Sequence, residues 1–564
     1  MAAAAGGDTR QSQKRSPRTG GGVEKKTRTK KKSKGGKGKR LPHSSEPEGA
    51  SLLPDDTTGS ATSTFELNHG EAATIRGYAQ LRVLGGEVWL AGRRLTPSSE
   101  PVDVLVGGEA ADCAAVEGVG SPPQVPHART SARTKLELRS IGPCRSKHTF
   151  SVTTTQSSRG ISSRAEGVIY PGSWRQAAEG VAAAGGAGQG KRAMPPPVVA
   201  VAGSKGAGKS TFARLLVNTL LNRWPEVAYV DTDAGQPEFT PPGLVSVHMV
   251  RGLLVGPPHE HQRCSCKRAA FVGDISPASE PEGYLAAVTG LLAWVRSPQS
   301  GFGAMPMVIN THGWVKGLGM DTLALILQAA QPSHVVQLAC GVPSRDLPSG
   351  LWWAANDGAA ENVCAECIPS AKSAAVRGKV APPPDSTGRT AAGDRALRWA
   401  AWAHLCSGPG LSAGLALVGS ESPGAFSPAA TLLAELPPYA VPLDAFPLRF
   451  RCSTVPKGEE LTVANGAVVG LMGHASGGGG APCLGLGLIR GIDAPRGTMY
   501  ILTPSPPGVL AEVAELHVGV LEIPPQLLQC NRYSSPYLSA FCLAAEGTGA
   551  GKMKSRNSLV RRAA

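Results

Sequence analysis

Residues Pro195 to Leu216 read PPPVVAVAGSKGAGKSTFARLL, and this stretch decides the fold. Within it, GSKGAGKS (Gly203 to Ser210) fits the spacing G-x-x-x-x-G-K-[ST] at every fixed position. A short apolar run precedes the glycines, and apolar residues at helical spacing follow them. The pattern therefore predicts a strand, a phosphate-binding loop and a helix, in that order.

The residue types of this loop suit a nucleotide. Glycines let backbone N–H groups wrap a phosphate chain, and the helix N-terminus adds a favourable dipole. Lys209 is expected to reach the β and γ phosphates, and the Ser210 hydroxyl to ligate Mg²⁺. The residues predicted to bind nucleotide are Gly203, Ser204, Lys205, Gly206, Ala207, Gly208, Lys209, Ser210 and Thr211. The alternative, a glycine-rich turn with a chance lysine, does not explain the flanking strand and helix.

Two carboxylates lie one residue apart in VDTDAGQPEFTPPG (Val230 to Gly243), at the end of the next apolar run. Burying an unpaired carboxylate costs roughly several kcal/mol, so each needs a partner. Neighbouring parallel strands converge at their C-terminal ends, which places Asp231 and Asp233 beside the phosphate crevice. There they would face Mg²⁺, the nucleotide and an acceptor hydroxyl. The alternative is that Asp233 caps a helix, which the following prolines disfavour.

Strand-like and helix-like patterns alternate from residue 195 to about 340, which predicts a parallel sheet covered by helices on both faces. Alternating apolar residues with glycine breaks predict a small β domain before it and a β-rich domain after it. The predicted boundaries are 1–60 for a disordered basic tail, 61–155 for the N-terminal β domain, 156–194 for a linker, 195–425 for the P-loop domain with an insertion or lid at about 341–400, 426–545 for the C-terminal β-rich domain, and 546–564 for a second basic tail. The predicted class is α/β.

Positive charge is concentrated at the N-terminus. Residues 1–40 carry 14 Lys and Arg against Asp8 and Glu24, whereas the 564-residue chain has a net charge of +15. The run KKTRTKKKSKGGKGKR (Lys25 to Arg40) has no apolar face and is expected to be disordered. It is a solubilising arm, an organellar transit peptide, or a nuclear or nucleolar address that also contacts nucleic-acid phosphate. Clustered lysines among glycines favour the last. No apolar run approaches the ~20 residues needed to cross a bilayer.

The residues also bear on the kind of phosphoryl chemistry. The N-K-x-D tetrapeptide typical of GTPases is absent. Transfer to a hydroxyl needs a carboxylate near the nucleophile and cations for the spreading charge. Arg389, Arg395 and Arg398, in GRTAAGDRALRW, are candidates for a cationic lid, and the last two would share a helical face. A solvated helix face remains the alternative.

Five motifs occur in a fixed order: GSKGAGKST, DTDAGQPEFTPPG, FVGDISP (Phe271 to Pro277), NTHGWVKGLG (Asn310 to Gly319), and GLGLIRGID followed by YILTP. Together they resemble the eukaryotic polynucleotide 5'-hydroxyl kinases, and more narrowly the nucleolar branch that acts in pre-ribosomal RNA processing. The resemblance covers residues 62 to 545, without the insertion. It implies an N-terminal β domain, a central P-loop kinase domain and a C-terminal domain. It also implies ATP-dependent phosphorylation of a 5'-OH on RNA, often also on DNA.

The resemblance implies roles for the acidic and basic residues. Asp233 matches the catalytic carboxylate that orients and deprotonates the 5'-OH. Asp231 matches the neighbouring position, which holds Mg²⁺ through water. Lys209 belongs to the same catalytic set, and Arg395 and Arg398 match the paired arginines of the lid.

Four further residues are expected to contact the polynucleotide. Gln236 matches a glutamine beside the active site, and Trp314 matches the aromatic that stacks on the terminal nucleotide. Ser276 and Thr311 lie in loops that resemble substrate-phosphate contacts. For Trp314 the alternative is a core aromatic, which the flanking glycines disfavour.

Two functions stay open at this level, and a third is weaker. The first is a polynucleotide kinase that uses ATP and Mg²⁺ on the 5'-OH ends of RNA, in the nucleus and nucleolus. The second is an ATP-binding scaffold of an RNA-processing complex. The third, a small-molecule kinase, leaves the basic tail and NTHGW unexplained. The resemblance also implies a partner, an endoribonuclease or another RNA-processing subunit, while the lack of a long apolar run predicts no membrane association.

Overall fold

The described part of the chain begins at Thr62 and ends at Leu528 in this computed structural model. It comprises residues 62–68, 72–106, 114–119, 134–140, 151–155, 170–184, 195–262, 264–354, 364–369, 390–407, 433–451, 455–475 and 480–528. The predicted basic tails and Arg389 lie outside the described residues.

An antiparallel sheet occupies the N-terminal part of the chain. Its eight strands are β1 (Thr62–Leu67), β2 (Ala72–Gly85), β3 (Glu87–Leu90), β4 (Arg93–Leu95), β5 (Val102–Val106), β6 (Ala114–Val119), β7 (Thr134–Ser140) and β8 (Ser151–Thr155). The order is β1-β7-β2-β6-β3-β4, and β5 and β8 also pair with β2. Alternate residues such as Val88 and Leu90 are buried, so the pleat gives this sheet an apolar core of its own.

Helix α1 (Gly172–Ala184) lies within the stretch 156–194 that the composition predicted as a linker. Its buried side chains are those of Trp174, Ala177, Ala178, Val181 and Ala182. This spacing of three and four residues is one face of a helix. The linker prediction is wrong for these residues, because the alanines that made the stretch look featureless are the strongest helix formers.

Seven strands form the central sheet in the order β12-β11-β10-β13-β9-β14-β15. They are β9 (Val198–Gly203), β10 (Val227–Asp231), β11 (Leu244–Val250), β12 (Cys266–Phe271), β13 (Met307–Asn310), β14 (His334–Ala339) and β15 (Cys364–Pro369). The predicted α/β class is confirmed, and the five strands from β10 to β15 in this order are parallel. The other two, β11 and β12, pair antiparallel. The sheet is therefore mixed, because the turn after β10 contains no crossover helix, which a parallel return requires.

Helices cover both faces of the central sheet. They are α1 and α2 (Lys209–Leu220) on one side and α3 (Pro281–Arg296) and α4 (Leu318–Ala330) on the other. Along β9, Val199 and Val201 pack towards α1 and α2, whereas Ala200 and Ala202 pack towards α3 and α4. Burying a valine of this kind stabilises the fold by about 1.5–3 kcal/mol. None of the described helices is both long enough and apolar enough to cross a membrane.

The predicted insertion or lid at about 341–400 contains two regular elements among its described residues. Strand β15 extends the parallel edge of the sheet. Helix α5 (Ala391–Leu405) begins after Thr390, whose hydroxyl accepts a hydrogen bond from the Gly393 amide at 3.1 Å. This N-cap explains where the arginine-bearing helix starts.

The β3–β4 hairpin docks on the C-terminal half of α2 through two asparagines one turn apart. Asn218 Nδ2 donates to the carbonyls of Ala91 and Leu254, both at 2.9 Å, and its Oδ1 accepts from the Leu254 amide at 2.8 Å. Asn222 Nδ2 donates to the Gly92 carbonyl at 2.9 Å. Helix α2 and the residues just after it thereby hold the β3–β4 hairpin of the N-terminal sheet in place.

A third sheet forms the C-terminal part, in the order β16-β20-β19-β18-β21-β17. Its elements are β16 (Tyr439–Pro442), β17 (Leu448–Phe450), α6 (Glu460–Ala464), β18 (Val468–Gly473), β19 (Cys483–Asp493), β20 (Thr498–Leu502), α7 (Pro507–Leu510), β21 (Val513–Val518) and α8 (Pro525–Leu528). Phe271 of β12 shares an apolar cluster with Leu488 of β19. The Val520 amide donates to the Gly273 carbonyl at 2.7 Å. The C-terminal sheet is therefore packed against the segment that follows β12.

Candidate active site

The phosphate loop lies between β9 and α2, and its glycines shape it. Gly206 and Gly208 have φ angles of +77° and +100°, which side-chain-bearing residues rarely adopt. At Gly208 an added Cβ would lie 2.7 Å from the Trp174 ring, so α1 closes this side of the loop. No side chain of the residues that the structure describes caps α2, and the first amides of a helix have no partner within it. The loop therefore offers backbone donors to an anion.

Lys209 lies beneath the loop with 6% of its surface exposed. Its Nζ donates to the Ser204 carbonyl at 3.3 Å. Burial lowers the pKa of Lys209, and the negative charge of Asp233 acts in the opposite direction. The predicted phosphate-binding lysine and the predicted catalytic carboxylate thus belong to one electrostatic site.

Asn310, at the end of β13, joins the two predicted Mg²⁺ residues. Its Nδ2 lies 3.4 Å from Ser210 Oγ and 3.2 Å from Asp231 Oδ1. Asp231 is fully buried, and its Oδ2 accepts from the Glu238 amide at 2.6 Å. Burial raises the pKa of Asp231 to about 7, although backbone hydrogen bonds from Glu238 and Asp233 act to lower it. A cation at this carboxylate would offset the cost of its ionised form.

Asp233 is half-buried and is held in a turn by its own backbone. Its Oδ1 accepts from the amides of Gly235 and Gln236, both at 3.1 Å. Two donors on one oxygen fix the direction of the carboxylate and leave its other oxygen for another group. The helix-cap alternative does not apply, since a turn and then β11 follow Asp233.

The loop that carries Ser276 lies against the Asp233 turn. An added Cβ on Gly235 would lie 2.6 Å from the Ile275 carbonyl, so the two backbones are in close contact. The Ser276 amide donates to Asp274 Oδ1 at 3.0 Å, which makes a second short turn. Since Gly273 is bonded to the C-terminal region, that region supports the loop beside the site.

The NTHGW loop also meets the phosphate loop, because the Lys205 amide donates to the Gly313 carbonyl at 3.1 Å. The two predicted substrate residues in NTHGW are placed differently. Thr311 is fully buried, and its hydroxyl donates to the Val201 carbonyl at 2.8 Å, so its side chain ties β13 to β9. Trp314 is half-buried and lies against Gly319, where an added Cβ would be 2.3 Å from the ring.

The two arginines of α5 also differ. Arg398 is 5% exposed, with its Nε donating to the Pro237 carbonyl at 2.7 Å and its Nη1 to the Asp394 carbonyl at 3.1 Å. It fastens α5 to the turn after Asp233. Arg395 is half-buried; burial lowers its pKa, and Asp394 and Asp233 act to raise it. Of the pair, Arg395 is the more exposed.

A buried ionic cluster supports the same turn from behind. Glu238 Oε1 lies 2.7 Å from His261 Nδ1 and 3.7 Å from Arg214 Nε. Burial acts to raise the pKa of Glu238, but Arg214 and His261 outweigh it and hold that pKa below its usual value. An ionised Glu238 fixes the segment whose amide binds Asp231.

A cavity of 540 Å³ among the described residues lies away from this site. It lies at the other end of α2, between the β3–β4 hairpin and α1, and contains Trp89, Arg93 and Asn222. None of the predicted site residues lines it. The candidate nucleotide site is therefore identified by the backbone donors and charged side chains of the phosphate loop, not by a cavity.

Sequence reasoning missed three residues of the site. Asn310 could have been found, because a polar residue ends the apolar strand MVIN beside β9, as Asp231 ends β10. His312 and Glu238 carried no such signal. Their surroundings come from distant segments, including Tyr284 for His312 and His261 for Glu238.

These residues fit a nucleotide with Mg²⁺. Asn310 Oδ1 is buried and has no hydrogen-bond partner among the described residues. With the Ser210 hydroxyl and the Asp231 carboxylate it forms a set of oxygen groups of the kind that Mg²⁺ prefers. Lys209 and the first amides of α2 supply the complementary groups for phosphate.

Two family models match this chain. One, described as the mRNA cleavage and polyadenylation factor CLP1 P-loop, matches residues 203–342. The other, described as the NOL9-like C-terminal domain, matches residues 434–524. Among solved structures, a wild-type Clp1p–Pcf11p complex is 14% identical, covers 84% of this chain and 99% of that chain, and has a TM-score of 0.48.

Three curated relatives carry the name polynucleotide 5'-hydroxyl-kinase NOL9. The Arabidopsis thaliana protein is 33% identical over 388 residues, which is 67% of this chain and 97% of the relative. The Danio rerio protein is 30% identical over 400 residues, or 65% of this chain and 52% of the relative. The Homo sapiens protein is 31% identical over 372 residues, or 60% and 51%. The chain thus spans nearly all of the plant relative and about half of the two animal relatives.

Proposed function

The chain belongs to the family of polynucleotide 5'-hydroxyl kinases, and from this premise we propose that it transfers the γ-phosphate of ATP to the 5'-hydroxyl end of RNA. The observation that carries the proposal is the placement of Asp233. Its carboxylate follows the end of β10, is oriented by two backbone amides, and interacts with both Lys209 and Arg395. A carboxylate so placed can accept a proton while cations bind the phosphate charge.

The phosphates of ATP are held by the loop of residues 203–208, by the first amides of α2 and by the Lys209 ammonium. Ser210 and Asp231 would hold Mg²⁺, and Asn310 contacts both side chains. When bound, the metal neutralises phosphate charge and helps to orient the triphosphate for an in-line displacement.

Asp233 accepts the proton of the RNA 5'-OH as that oxygen attacks the γ phosphorus. The new O–P bond forms as the bond from the γ phosphorus to the β–γ bridging oxygen breaks, and ADP leaves. Lys209 and Arg395 bind the oxygens over which charge spreads in the transition state. Arg398 acts one step away, because it holds the turn that carries Asp233.

The RNA end is received by the loops around Asp233. Trp314 stacks on the terminal nucleotide, which suits acceptance of any base. Gln236 and Ser276 lie on the adjoining turns and contact the terminal phosphates. Thr311 supports this surface through its bond to β9.

The setting of this activity is the processing of ribosomal RNA in the nucleolus. The basic stretch from Lys25 to Arg40 supports a nuclear address and contact with RNA phosphate. An endoribonuclease that leaves 5'-OH ends, or another RNA-processing subunit, is the expected partner.

The test is transfer of label from γ-labelled ATP, with Mg²⁺, to an RNA oligonucleotide bearing a 5'-OH. The matched control is the same RNA with a 5'-phosphate, and a 5'-OH DNA of the same sequence measures the preference for sugar. We expect label on the 5'-OH RNA and none on the 5'-phosphorylated RNA. ATP binding without transfer to any 5'-OH end would contradict the proposal and favour an ATP-binding scaffold.

A further inference from the structure

His312 lies in the NTHGW loop, between the end of β13 and Trp314, and is nearly enclosed. Its side chain is 2% exposed, and its ring packs edge-on against Tyr284 with the ring centroids 5.6 Å apart. It interacts electrostatically with Asp233 and with Lys209. His312 therefore lies near Asp233 and Lys209, the two groups on either side of the proposed phosphoryl transfer.

One hydrogen bond fixes which ring nitrogen of His312 carries the proton. The Trp314 amide donates to His312 Nδ1 at 3.2 Å, so this nitrogen presents its lone pair. The neutral ring must then carry its proton on Nε2. Because Nδ1 accepts this hydrogen bond it carries no proton, so the ring is neutral.

The resulting Nε2–H group is a donor without an acceptor. Nε2 is buried and has no hydrogen-bond partner among the described residues. A buried donor left unpaired is costly, and such groups in folded proteins call for an explanation. Lys209 is also enclosed, and among the described residues its ammonium has one hydrogen-bond acceptor, the Ser204 carbonyl.

We propose that the Nε2–H of His312 donates a hydrogen bond to a non-bridging oxygen of the terminal phosphoryl group of bound ATP. This inference rests on the proposed function for the identity of the nucleotide. The γ-phosphate is the group that must lie between Lys209, which binds phosphate, and Asp233, which faces the acceptor. A neutral donor suits this position, because it binds phosphate oxygen without taking the proton that Asp233 must accept.

The proposed His312 contact involves the γ-phosphate and no other part of the nucleotide. ADP has no γ-phosphate and so cannot use the His312 donor, whereas a triphosphate can. A merely structural His312 would affect both nucleotides alike. The difference in affinity between a triphosphate and ADP therefore reports on this contact.

The test measures binding of ADP and of the β,γ-imido analogue of ATP by calorimetry, each with Mg²⁺, to wild type, His312→Asn and His312→Gln. Asparagine can keep the acceptor that meets the Trp314 amide but lacks a donor at the Nε2 position. Glutamine places an amide N–H close to that position. We expect His312→Asn to bind the analogue about tenfold more weakly, with ADP affinity unchanged. His312→Gln should recover the analogue to within about threefold of wild type.

Two results would overturn the assignment. Equal weakening of ADP and the analogue in His312→Asn would make His312 a structural residue, and unchanged affinity for both would remove it from the site. This readout needs no RNA, so it is independent of the labelling assay. Absence of transfer to RNA would overturn the proposed function while leaving the nucleotide contact standing on its own measurement.

Discussion

Polar groups at the two ends of helix α2 differ in how fully they are hydrogen-bonded. At the N-terminal end, within the described part of the chain, no side chain caps the helix and the buried Lys209 ammonium makes one hydrogen bond, at 3.3 Å. At the C-terminal end, Asn218 makes three hydrogen bonds of 2.8 to 2.9 Å. Thr219 donates to the Leu215 carbonyl at 2.8 Å. At the N-terminal end the hydrogen-bonding groups are available to a ligand, whereas at the C-terminal end they are paired within the protein.

This difference separates function from stability within a single helix. Donors that must bind an incoming phosphate cannot all be hydrogen-bonded within the unliganded protein. Leaving such donors without partners lowers the stability of the fold. Groups that hold the N-terminal sheet can be paired completely. Substitutions at one end should therefore change catalysis, and substitutions at the other should change unfolding.

The largest effect is expected at Lys209. Lys209→Ala should lower phosphate transfer about a thousandfold, because the phosphate oxygens lose a buried cation. Its free energy of unfolding should be unchanged or slightly raised, since a desolvated ammonium is removed. Labelled-ATP assays and urea unfolding measure the two quantities, with Arg223→Ala, just beyond the far end of α2, as the control. A Lys209→Ala protein that is unfolded, rather than inactive and folded, would break the comparison.

Asn218 should give the reverse result. Asn218→Ala removes three hydrogen bonds and leaves the Ala91 carbonyl and both Leu254 backbone groups without this partner, so we expect a loss of about 3 kcal/mol in unfolding free energy. The kcat of the folded fraction should stay within about twofold of wild type, because no contact to the phosphate loop is lost. Urea melts and active-site titration provide the measurement. A large fall in kcat with normal stability would contradict the assignment of this end to docking.

His248 extends the comparison to pH, because it is a buried histidine that lies away from the phosphate loop. Its Nε2 lies 2.9 Å from Ser246 Oγ, and backbone groups of Cys264 and Ser265 also act on the ring. Burial lowers the pKa of His248 to about 4, from 6.5. Between these values the unfolded chain binds more protons, so stability falls as the pH drops from 6.5 towards 4, by about 3 kcal/mol at pH 4.

The substitution His248→Gln should remove that part of the pH dependence. We expect the loss of unfolding free energy between pH 7 and pH 4 to shrink, though not vanish, since His312 has a similarly lowered pKa. Urea unfolding across this pH range provides the measurement. An unchanged slope would show that His248 is not buried as a neutral ring.

The smallest effect is expected at Asn222, one turn beyond Asn218. Asn222 is exposed, so water can replace its bonds to the hairpin backbone. Asn222→Ala should cost about 1 kcal/mol or less in unfolding free energy. If Asn222→Ala cost as much as Asn218→Ala, burial would not be what distinguishes the two docking residues.

The parts of this account that the sequence could predict are those encoded locally. The phosphate loop, its strand and its helix follow from GSKGAGKS and the apolar residues on either side. The alternating segments form strands because a period of two buries one face of a sheet. Local pattern was misleading at α1, where alanines and glycines resemble a linker until Trp174 packs on Gly208.

Other features depend on long-range contacts and could not be predicted from a local pattern. The buried position of Arg398 depends on the Pro237 carbonyl, which lies far away in the sequence. The inward position of Thr311 depends on the register between β13 and β9. The order of strands at the antiparallel edge is set by tertiary packing, which local propensity does not specify.

The central claim is that Asp233 removes the proton from the 5'-OH. The most direct measurement is the single-turnover rate of phosphate transfer from prebound ATP to 5'-OH RNA by Asp233→Asn, with ATP affinity determined on the same protein. We predict a rate about a thousandfold below wild type, with ATP affinity within about twofold, because asparagine keeps an oxygen for the turn amides but cannot accept the proton. Transfer by Asp233→Asn at the wild-type rate would contradict the account.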